Sequence, residues 1–316
     1  MIDTGYETYD IEQAILNTVG ARIREIPCHG DLERILETVR EADAVMVRES
    51  PLPRDIIEQM NRCQVIVRYG AGIDNIDLEA AAERGIFVAN VPDYGFEEVS
   101  DQALALLMTV ARRTASRDQQ VRAGAWNIAR QEPMHRITGG VLGLVGYGRI
   151  ARAFHRKAMG LGFSRTLVVD HHLKDSTGDV ETVDLDTLCR EADVISLHVP
   201  LTDQTRHLID RRRLALMKPN AVLINTARGG LIDEPALAAT LKNGRLFGAG
   251  LDVFEQEPPQ SDSPLMDCPG VVISDHTGWY SEESIAELQR KAAEEVCRVF
   301  NKEPPINWVN RWDHAS

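Results

Sequence analysis

Short runs of apolar and β-branched residues alternate with helix-like patterns along almost the whole chain, and this alternation constrains the fold most strongly. Eight runs have the length and composition of buried strands: 44–47, 65–68, 86–89, 141–145, 166–169, 194–198, 221–225 and 271–274. Strands that are separated by helices form parallel sheets with crossover connections. Because 316 residues are enough for about two cores, we expect an α/β protein with two doubly wound parallel-sheet domains.

Two helical patterns stand out from the others. The first covers residues 97–123, where apolar residues recur at helical spacing between Leu104 and Ala111. A helix of that length often bridges domains or subunits. The second is expected to begin at Ser281, because a serine followed by two glutamates is a common helix start, and to run to about Asn301.

Charge and hydropathy exclude two classes of partner. The formal net charge is −13, which would repel a phosphate backbone, so we expect no nucleic-acid partner. The longest nearly continuous apolar run, 103–111, is far too short to cross a bilayer. We therefore expect no membrane segment.

Cysteine spacing and the first residues indicate the compartment. The five cysteines are widely separated and include no Cys-x-x-Cys pair, so neither a disulfide framework nor a metal site is predicted. They are expected to be reduced, mostly buried thiols. The N-terminal residues lack the basic and apolar regions of a secretory signal, which predicts a cytoplasmic protein.

A glycine fingerprint follows the strand at 141–145. Gly146, Gly148 and Ala151 form the pattern Gly-x-Gly-x-x-Ala between this strand and a helical segment. The first glycine permits a tight turn, the second lets a pyrophosphate approach the backbone, and the alanine allows close helix packing. The helix N-terminus would then receive the negative charge. This context predicts a dinucleotide site.

An acidic residue at the end of the next strand indicates which dinucleotide binds. Asp170 lies 19 residues after Ala151, where a carboxylate would accept hydrogen bonds from the adenosine ribose hydroxyls. An NADP enzyme would need an arginine nearby, whereas Asp170 is followed by His171 and His172. The sequence therefore predicts NAD.

Three polar side chains follow three later strands. Arg228 leaves one strand end with two glycines after it, and these glycines would let a substrate approach closely. Glu257 precedes a proline, which restricts its backbone, while Glu255 is interpreted as a solvated loop charge. His276 follows the strand at 271–274. At one sheet edge, a carboxylate could orient the histidine ring, which would then exchange a proton with a carbonyl oxygen.

With these motifs assembled, the chain resembles the D-isomer-specific 2-hydroxyacid dehydrogenase family over essentially its whole length. The glycine fingerprint and the arginine, glutamate and histidine segments follow one another in the family's order. Within the family, segments 67–77, 97–101 and 279–281 are most similar to the C-terminal-binding-protein branch.

The resemblance implies a Rossmann NAD-binding domain, 95–283, inserted into a flavodoxin-like substrate domain made of 1–94 and 284–316. It also implies dimerisation through the long helix near 97–123, and therefore a homodimer. The reaction it implies interconverts a 2-oxo acid and a D-2-hydroxy acid by hydride transfer, with NAD as the cofactor.

The resemblance also assigns residues to roles. Arg228 would bind the substrate carboxylate, Glu257 would pair with the histidine, and His276 would be the general acid and base. Asp252 would orient the nicotinamide carboxamide. Substrate contacts are expected from Arg68, Gly70, Ala71, Gly72 and Trp279. Cofactor contacts are expected from Gly146, Tyr147, Gly148, Arg149, Ile150, Asp170, His198, Pro200, Thr226, Ala227, Asp252 and Gly278.

Two other interpretations of the function stay open at this point. The chain could be an NAD(H)-sensing binding protein, as in the C-terminal-binding-protein branch, or a short phosphoglycerate or hydroxypyruvate reductase. Trp279 would either pack against an apolar substrate tail or belong to the core.

Overall fold

The protein is described by a computed structural model that covers residues 1–3, 5–127, 132–173 and 178–312. The chain divides into two compact units. The first unit consists of Met1–Gly95 and Ser281–Ser316, and the second is Phe96–Tyr280. None of the helices in the described ranges is long and apolar enough to cross a membrane. All five cysteines are free and buried, as predicted.

The secondary-structure elements are numbered in chain order. The strands are β1 Ala44–Val47, β2 Val65–Arg68, β3 Phe87–Ala89, β4 Val141–Val145, β5 Arg165–Val169, β6 Glu181–Thr182, β7 Val194–Leu197, β8 Val222–Asn225, β9 Gly248–Leu251 and β10 Val271–Ile273. The α-helices are α1 Asp10–Leu16, α2 Leu32–Val39, α3 Arg54–Ile57, α4 Leu78–Glu83, α5 Phe96–Arg112, α6 Thr114–Arg122, α7 Arg149–Ala158, α8 Leu185–Glu191, α9 Arg211–Leu216, α10 Glu234–Lys242 and α11 Glu282–Phe300.

The first unit contains a parallel sheet with the order β1-β2-β3. Two further segments continue it beside β1. Ile2 N–H donates to Met46 O at 3.3 Å, and Cys28 N–H donates to Ile2 O at 2.9 Å. Counted by these backbone hydrogen bonds, the order of segments is 2-1-3-4-5, which is the flavodoxin-like order.

The second unit contains a parallel sheet of seven strands in the order β10-β9-β8-β7-β4-β5-β6. Helices α5 and α7 cover one face, where Leu107 and Phe154 pack with strand residues. Helices α8, α9 and α10 cover the other face through Leu188, Leu214 and Leu237. Both faces are covered, so this is a doubly wound sheet of the Rossmann type.

The predicted long helix at 97–123 is wrong in one respect, because two helices occupy that stretch. Arg113 interrupts them with a left-handed backbone, φ 53°. The Arg113 side chain contacts distant parts of the chain: Nε donates to Pro133 O at 3.2 Å, and the guanidinium lies 4.4 Å from the centre of the Phe247 ring. The apolar pattern ends at Ala111, and no residue of α6 is buried.

Strand β9 is made almost entirely of small residues because α5 packs directly onto it. A Cβ atom on Gly248 would lie 2.6 Å from Val110 Cγ1, and one on Gly250 would lie 2.8 Å from Leu106 Cβ. Glycine in a strand is unfavourable by itself and marks such close approaches.

Candidate active site

The predicted cofactor and catalytic residues of the second unit follow the carboxyl ends of its strands. In an open parallel sheet, this edge is where ligands bind. The residues at the edge include Gly146 after β4, Asp170 after β5, His198 after β7, Thr226 after β8, Asp252 after β9 and His276 after β10.

The turn between β4 and α7 leaves room for a ligand where the fingerprint predicts one. Gly146 has φ +87°, and a Cβ there would lie 2.7 Å from His198 O, so the turn needs glycine. A Cβ on Gly148 would meet no described atom within 4 Å. No side chain of the described residues caps α7, whose first turn contains Arg149 and Ile150. Its N-terminal amides therefore suit a pyrophosphate.

The carboxylate of Asp170 is fixed beside this turn by two backbone amides. Tyr147 N–H donates to Oδ2 at 2.7 Å, and His172 N–H donates to Oδ1 at 2.7 Å. Desolvation acts to raise the pKa of Asp170, but these hydrogen bonds outweigh it and hold the pKa below its usual value. The group is therefore an ionised acceptor at neutral pH, as binding to ribose hydroxyls requires.

Two buried polar atoms near this edge lack a partner among the described residues. They are His198 Nε2 and Thr226 Oγ1. The His198 ring packs 5.6 Å from the ring of Phe154, and burial lowers the pKa of His198 to about 3. Buried polar groups normally have partners, so the orphaned atoms fit a site that a polar ligand completes.

Two other residues assigned to the cofactor use their backbone groups within their own loops. Thr205 Oγ1 donates to Pro200 O at 2.7 Å, and Ala227 N–H donates to Asn225 Oδ1 at 3.1 Å. These bonds define the loops after β7 and β8.

Glu257 and His276 are brought into direct contact although 19 residues separate them. His276 Nδ1 lies 2.5 Å from Glu257 Oε2, and Phe254 N–H donates to Glu257 Oε1 at 2.9 Å. Desolvation raises the pKa of Glu257, but the bond to His276, the Phe254 amide and the nearby charge of Arg228 together lower it. The glutamate is thus held as a carboxylate against one ring nitrogen, which leaves Nε2 as the other functional nitrogen.

The backbone of His276 is held in an uncommon conformation. Its φ of 56° lies in the left-handed region, where histidine is found more often than most residues. His276 N–H donates to Asp252 O at 2.9 Å, and the indole N–H of Trp279 donates to His276 O at 2.9 Å. Trp279, half-buried, therefore clamps the turn that carries the histidine.

Asp252 also organises this turn, a function that sequence reasoning missed. Its buried carboxylate accepts hydrogen bonds from Ser274 Oγ at 2.6 Å, Thr277 N at 3.2 Å and Gly278 N at 2.9 Å. A Cβ on Gly278 would lie 2.7 Å from Asp252 Oδ2. The glycine two residues after the histidine was the available signal, because it permits this close approach.

The glycines after Arg228 serve packing, which corrects the prediction that they make room for a substrate. A Cβ on Gly229 would lie 1.8 Å from Phe254 C, and one on Gly230 would lie 3.0 Å from Leu201 Cδ2. The loop after β8 therefore lies directly against the loop after β9. The charge of Arg228, which leaves this loop, also contributes to the lowered pKa of Glu257.

The other predicted substrate residues lie in the first unit, at the end of β2. Gly70 has φ +129°, and a Cβ there would lie 1.8 Å from Arg68 Nη1, so the arginine folds back over the glycine. Asn90 Nδ2 donates to Ala71 O at 2.6 Å, and Gly72 follows in the same loop.

Comparison with known proteins identifies the family. Residues 104–278 match the model of the NAD-binding domain of D-isomer specific 2-hydroxyacid dehydrogenases. The chain belongs to this family.

Similar proteins extend the match beyond that domain. Glyoxylate reductase of Korarchaeum cryptofilum is 39% identical over 284 residues, covering 88% of this chain and 85% of that protein. D-3-phosphoglycerate dehydrogenase of Methanocaldococcus jannaschii is 39% identical over 88% of this chain, which spans only 53% of that relative. The solved structure of D-lactate dehydrogenase from Aquifex aeolicus, complexed with NAD and lactic acid, is 25% identical, covers 96% of each chain and has a TM-score of 0.84.

Membership of the family defines the chemistry. The chain is an NAD-dependent oxidoreductase that interconverts 2-oxo acids and D-2-hydroxy acids. The open space at Gly148, the uncapped start of α7 and the carboxylate of Asp170 all fit NAD.

Proposed function

We propose that this dehydrogenase reduces a short, unphosphorylated 2-oxo acid with NADH, using His276 as general acid, Glu257 as its orienting base and Arg228 as the carboxylate ligand. The 2.5 Å contact between Glu257 and His276, close to Arg228, carries the proposal.

Each of the three side chains has a defined task in this proposal. NAD, when bound, supplies the hydride chemistry. Glu257 stabilises the protonated ring through Nδ1, so that Nε2 can donate a proton to the keto oxygen and take it back in the reverse reaction. Arg228 presents two parallel N–H groups to the substrate carboxylate and fixes its orientation. Phe254 N–H keeps Glu257 in place.

The proposal that the substrate is short and unphosphorylated rests on several observations. The Korarchaeum relative, of which this chain covers 85%, is named for glyoxylate, whereas the chain spans only 53% of the phosphoglycerate relative. We propose that Arg68 and the 70–72 loop contribute further contacts to the substrate carboxylate, as backbone amides in a glycine-rich loop suit an anion. The indole N–H of Trp279 donates to His276 O. The apolar ring of Trp279 would then form one wall of the substrate site.

The relatives above lend no support to the corepressor-like branch that the sequence favoured. They are named as reductases and dehydrogenases. The paired Glu257 and His276 would serve no purpose in a pure NAD(H) sensor. We therefore propose catalysis, and not partner binding, as the function.

We further propose that the protein acts as a cytoplasmic homodimer. Helix α6 has no buried residue, its Val121 is 45% exposed, and Trp126, which follows the helix, is 76% exposed. Apolar side chains this exposed favour burial against another surface, and a second copy is the simplest partner. Light scattering of the purified protein, with Trp126→Asp as the variant, tests this; a monomeric wild-type protein would refute it.

NADH consumption tests the proposed activity. The panel runs from glyoxylate, pyruvate and hydroxypyruvate to phosphohydroxypyruvate and phenylpyruvate, each with NADH and with NADPH. We expect turnover of one or more short unphosphorylated acids with a preference for NADH. A preference for phosphohydroxypyruvate would replace the proposed substrate class. Measurable NADH binding without turnover of any acid would favour the sensor.

A further inference from the structure

Tyr147, the middle residue of the fingerprint turn, is fixed at four points. Its N–H donates to Asp170 Oδ2 at 2.7 Å, and its C=O accepts from Arg152 Nε at 3.0 Å. The guanidinium of Arg152 also lies 4.4 Å from the centre of its ring. Its hydroxyl lies 2.9 Å from His155 Nδ1. The first three contacts join the turn to Asp170 after β5 and to Arg152 of α7, whereas the last reaches His155 on the inner face of α7.

His155 is a buried polar residue on the inner face of α7, with 8% of its surface exposed. Its neighbours on that face, Ala151, Phe154 and Ala158, are apolar. Packing alone would favour an apolar side chain here, because a buried polar ring costs free energy unless it is hydrogen-bonded. The presence of a histidine at this buried position must therefore be explained by the hydrogen bonds of its ring.

Both nitrogens of this ring are used. Nδ1 faces the Tyr147 hydroxyl, and Nε2 lies 3.1 Å from Thr166 Oγ1 on β5. Thr166 Oγ1 in turn lies 3.6 Å from Met159 Sδ as a donor. A neutral ring satisfies the whole chain: Tyr147 O–H donates to Nδ1, Nε2–H donates to Thr166, and Thr166 donates to the sulfur. Burial lowers the pKa of His155, which favours this neutral form.

We propose that His155 is a positioning residue for NAD: supported by Thr166, it holds the hydroxyl of Tyr147 and so fixes the fingerprint turn in the geometry that receives the cofactor. The inference rests on NAD binding and not on which acid is reduced. Because Tyr147 N–H also holds Asp170, the turn and the ribose carboxylate are fixed together.

The consequence is a pre-organised cofactor site. The amides that follow Gly148 bind a pyrophosphate best when the turn already has the bound geometry, because ordering the turn on binding costs affinity. Loss of the bond from Tyr147 to His155 should weaken NADH binding about three- to tenfold, the range of one hydrogen bond. The acid-reducing side chains lie at other strand ends, so the loss should appear in the Kd and the KM for NADH rather than in the KM for the 2-oxo acid.

The test compares Tyr147→Phe, which removes only the hydroxyl, with His155→Leu and the double variant. NADH affinity is measured by fluorescence titration without any 2-oxo acid, so it is independent of the substrate assignment. The amide exchange of residues 146–149 is measured in the cofactor-free protein. His207→Gln is the control, since His207 pairs with Glu255 on another loop.

We expect weaker NADH binding and faster exchange at 146–149 in Tyr147→Phe, and a double variant no weaker than His155→Leu. Wild-type NADH affinity in Tyr147→Phe, with or without a change in melting temperature, would show a purely structural bond and overturn the inference. Should His155→Leu fail to fold, Thr166→Val replaces it, with the same expectation of weaker binding. Undetectable NADH binding by the wild type would instead contradict the cofactor assignment itself.

Discussion

Glu257 Oε2 and His276 Nδ1 lie 2.5 Å apart, although they come from the loops after two different strands. The loop after β9 holds both partners: the Phe254 amide holds the glutamate, and Asp252 organises the turn of the histidine. This arrangement fixes which ring nitrogen is occupied, and so leaves the other for proton transfer.

Glu257→Gln should lower kcat by about 10- to 1000-fold, because an amide cannot stabilise the protonated ring as a carboxylate does. NADH affinity should stay within about twofold. Steady-state kinetics and NADH titration check this. Glu255→Gln is the matched control: Glu255 lies two residues away but pairs with His207. Equal losses in both variants would remove the special role of Glu257.

Arg228→Lys should raise the KM for the 2-oxo acid and lower kcat/KM by roughly 100-fold, because lysine cannot form the bidentate pair with a carboxylate. The Kd for NADH should change little. Arg206→Lys serves as the comparison, since Arg206 is a surface residue 3.5 Å from Glu255. If the arginine only supports the loop, both substrate and cofactor parameters will shift together with the melting temperature.

Gly148→Ala should impair cofactor binding, whereas Gly229→Ala should impair folding. At Gly148 the added methyl meets no described atom, so the melting temperature should fall by only about 1–3 °C, while NADH affinity drops at least tenfold. At Gly229 the methyl would overlap the Phe254 backbone at 1.8 Å, and we expect severe destabilisation. Thermal unfolding and NADH titration of both variants check the pair. A severely destabilised Gly148→Ala would contradict the open space at that turn.

His198 should make the native state sensitive to acid. Its pKa is lowered from 6.5 to about 3 by burial, so between these values the unfolded chain binds a proton that the native state does not. The free energy of unfolding should therefore fall as the pH decreases through this window, by up to about 1.4 kcal/mol per pH unit. Urea unfolding at pH 7, 5 and 4 measures it. Parallel pH curves for wild type and His198→Gln would contradict the burial of the ring.

The sequence predicted the strands well where they were apolar. The runs at 44–47, 65–68 and 141–145 match β1, β2 and β4 at both ends. The glycine-rich β9 was not among the eight apolar runs and was inferred only from the acidic residues that follow it, because α5 fills the space that larger side chains would occupy. The helix at 97–123 was too long because the break at Arg113 depends on contacts with Pro133 and Phe247 that lie far along the chain.

The residues of the site could be predicted where the residue type itself indicates a chemical function. The fingerprint glycines, Asp170 and the pairing of Glu257 with His276 could be expected from strand ends alone. The supporting contacts could not: Gly229 against Phe254 and Asp252 beneath the histidine turn are tertiary contacts. Local sequence indicates that a glycine is needed, but not which atoms fill the space.

The most direct test of the proposed mechanism is the turnover of His276→Asn with the best 2-oxo acid at saturating NADH. Asparagine tolerates the left-handed backbone at this position, so the turn should survive, and NADH affinity measured in parallel verifies that it does. We predict a kcat about 100- to 10,000-fold below the wild type, the range for losing a general acid. Turnover within twofold of the wild type, with normal NADH binding, would contradict the assignment of His276 as the proton donor.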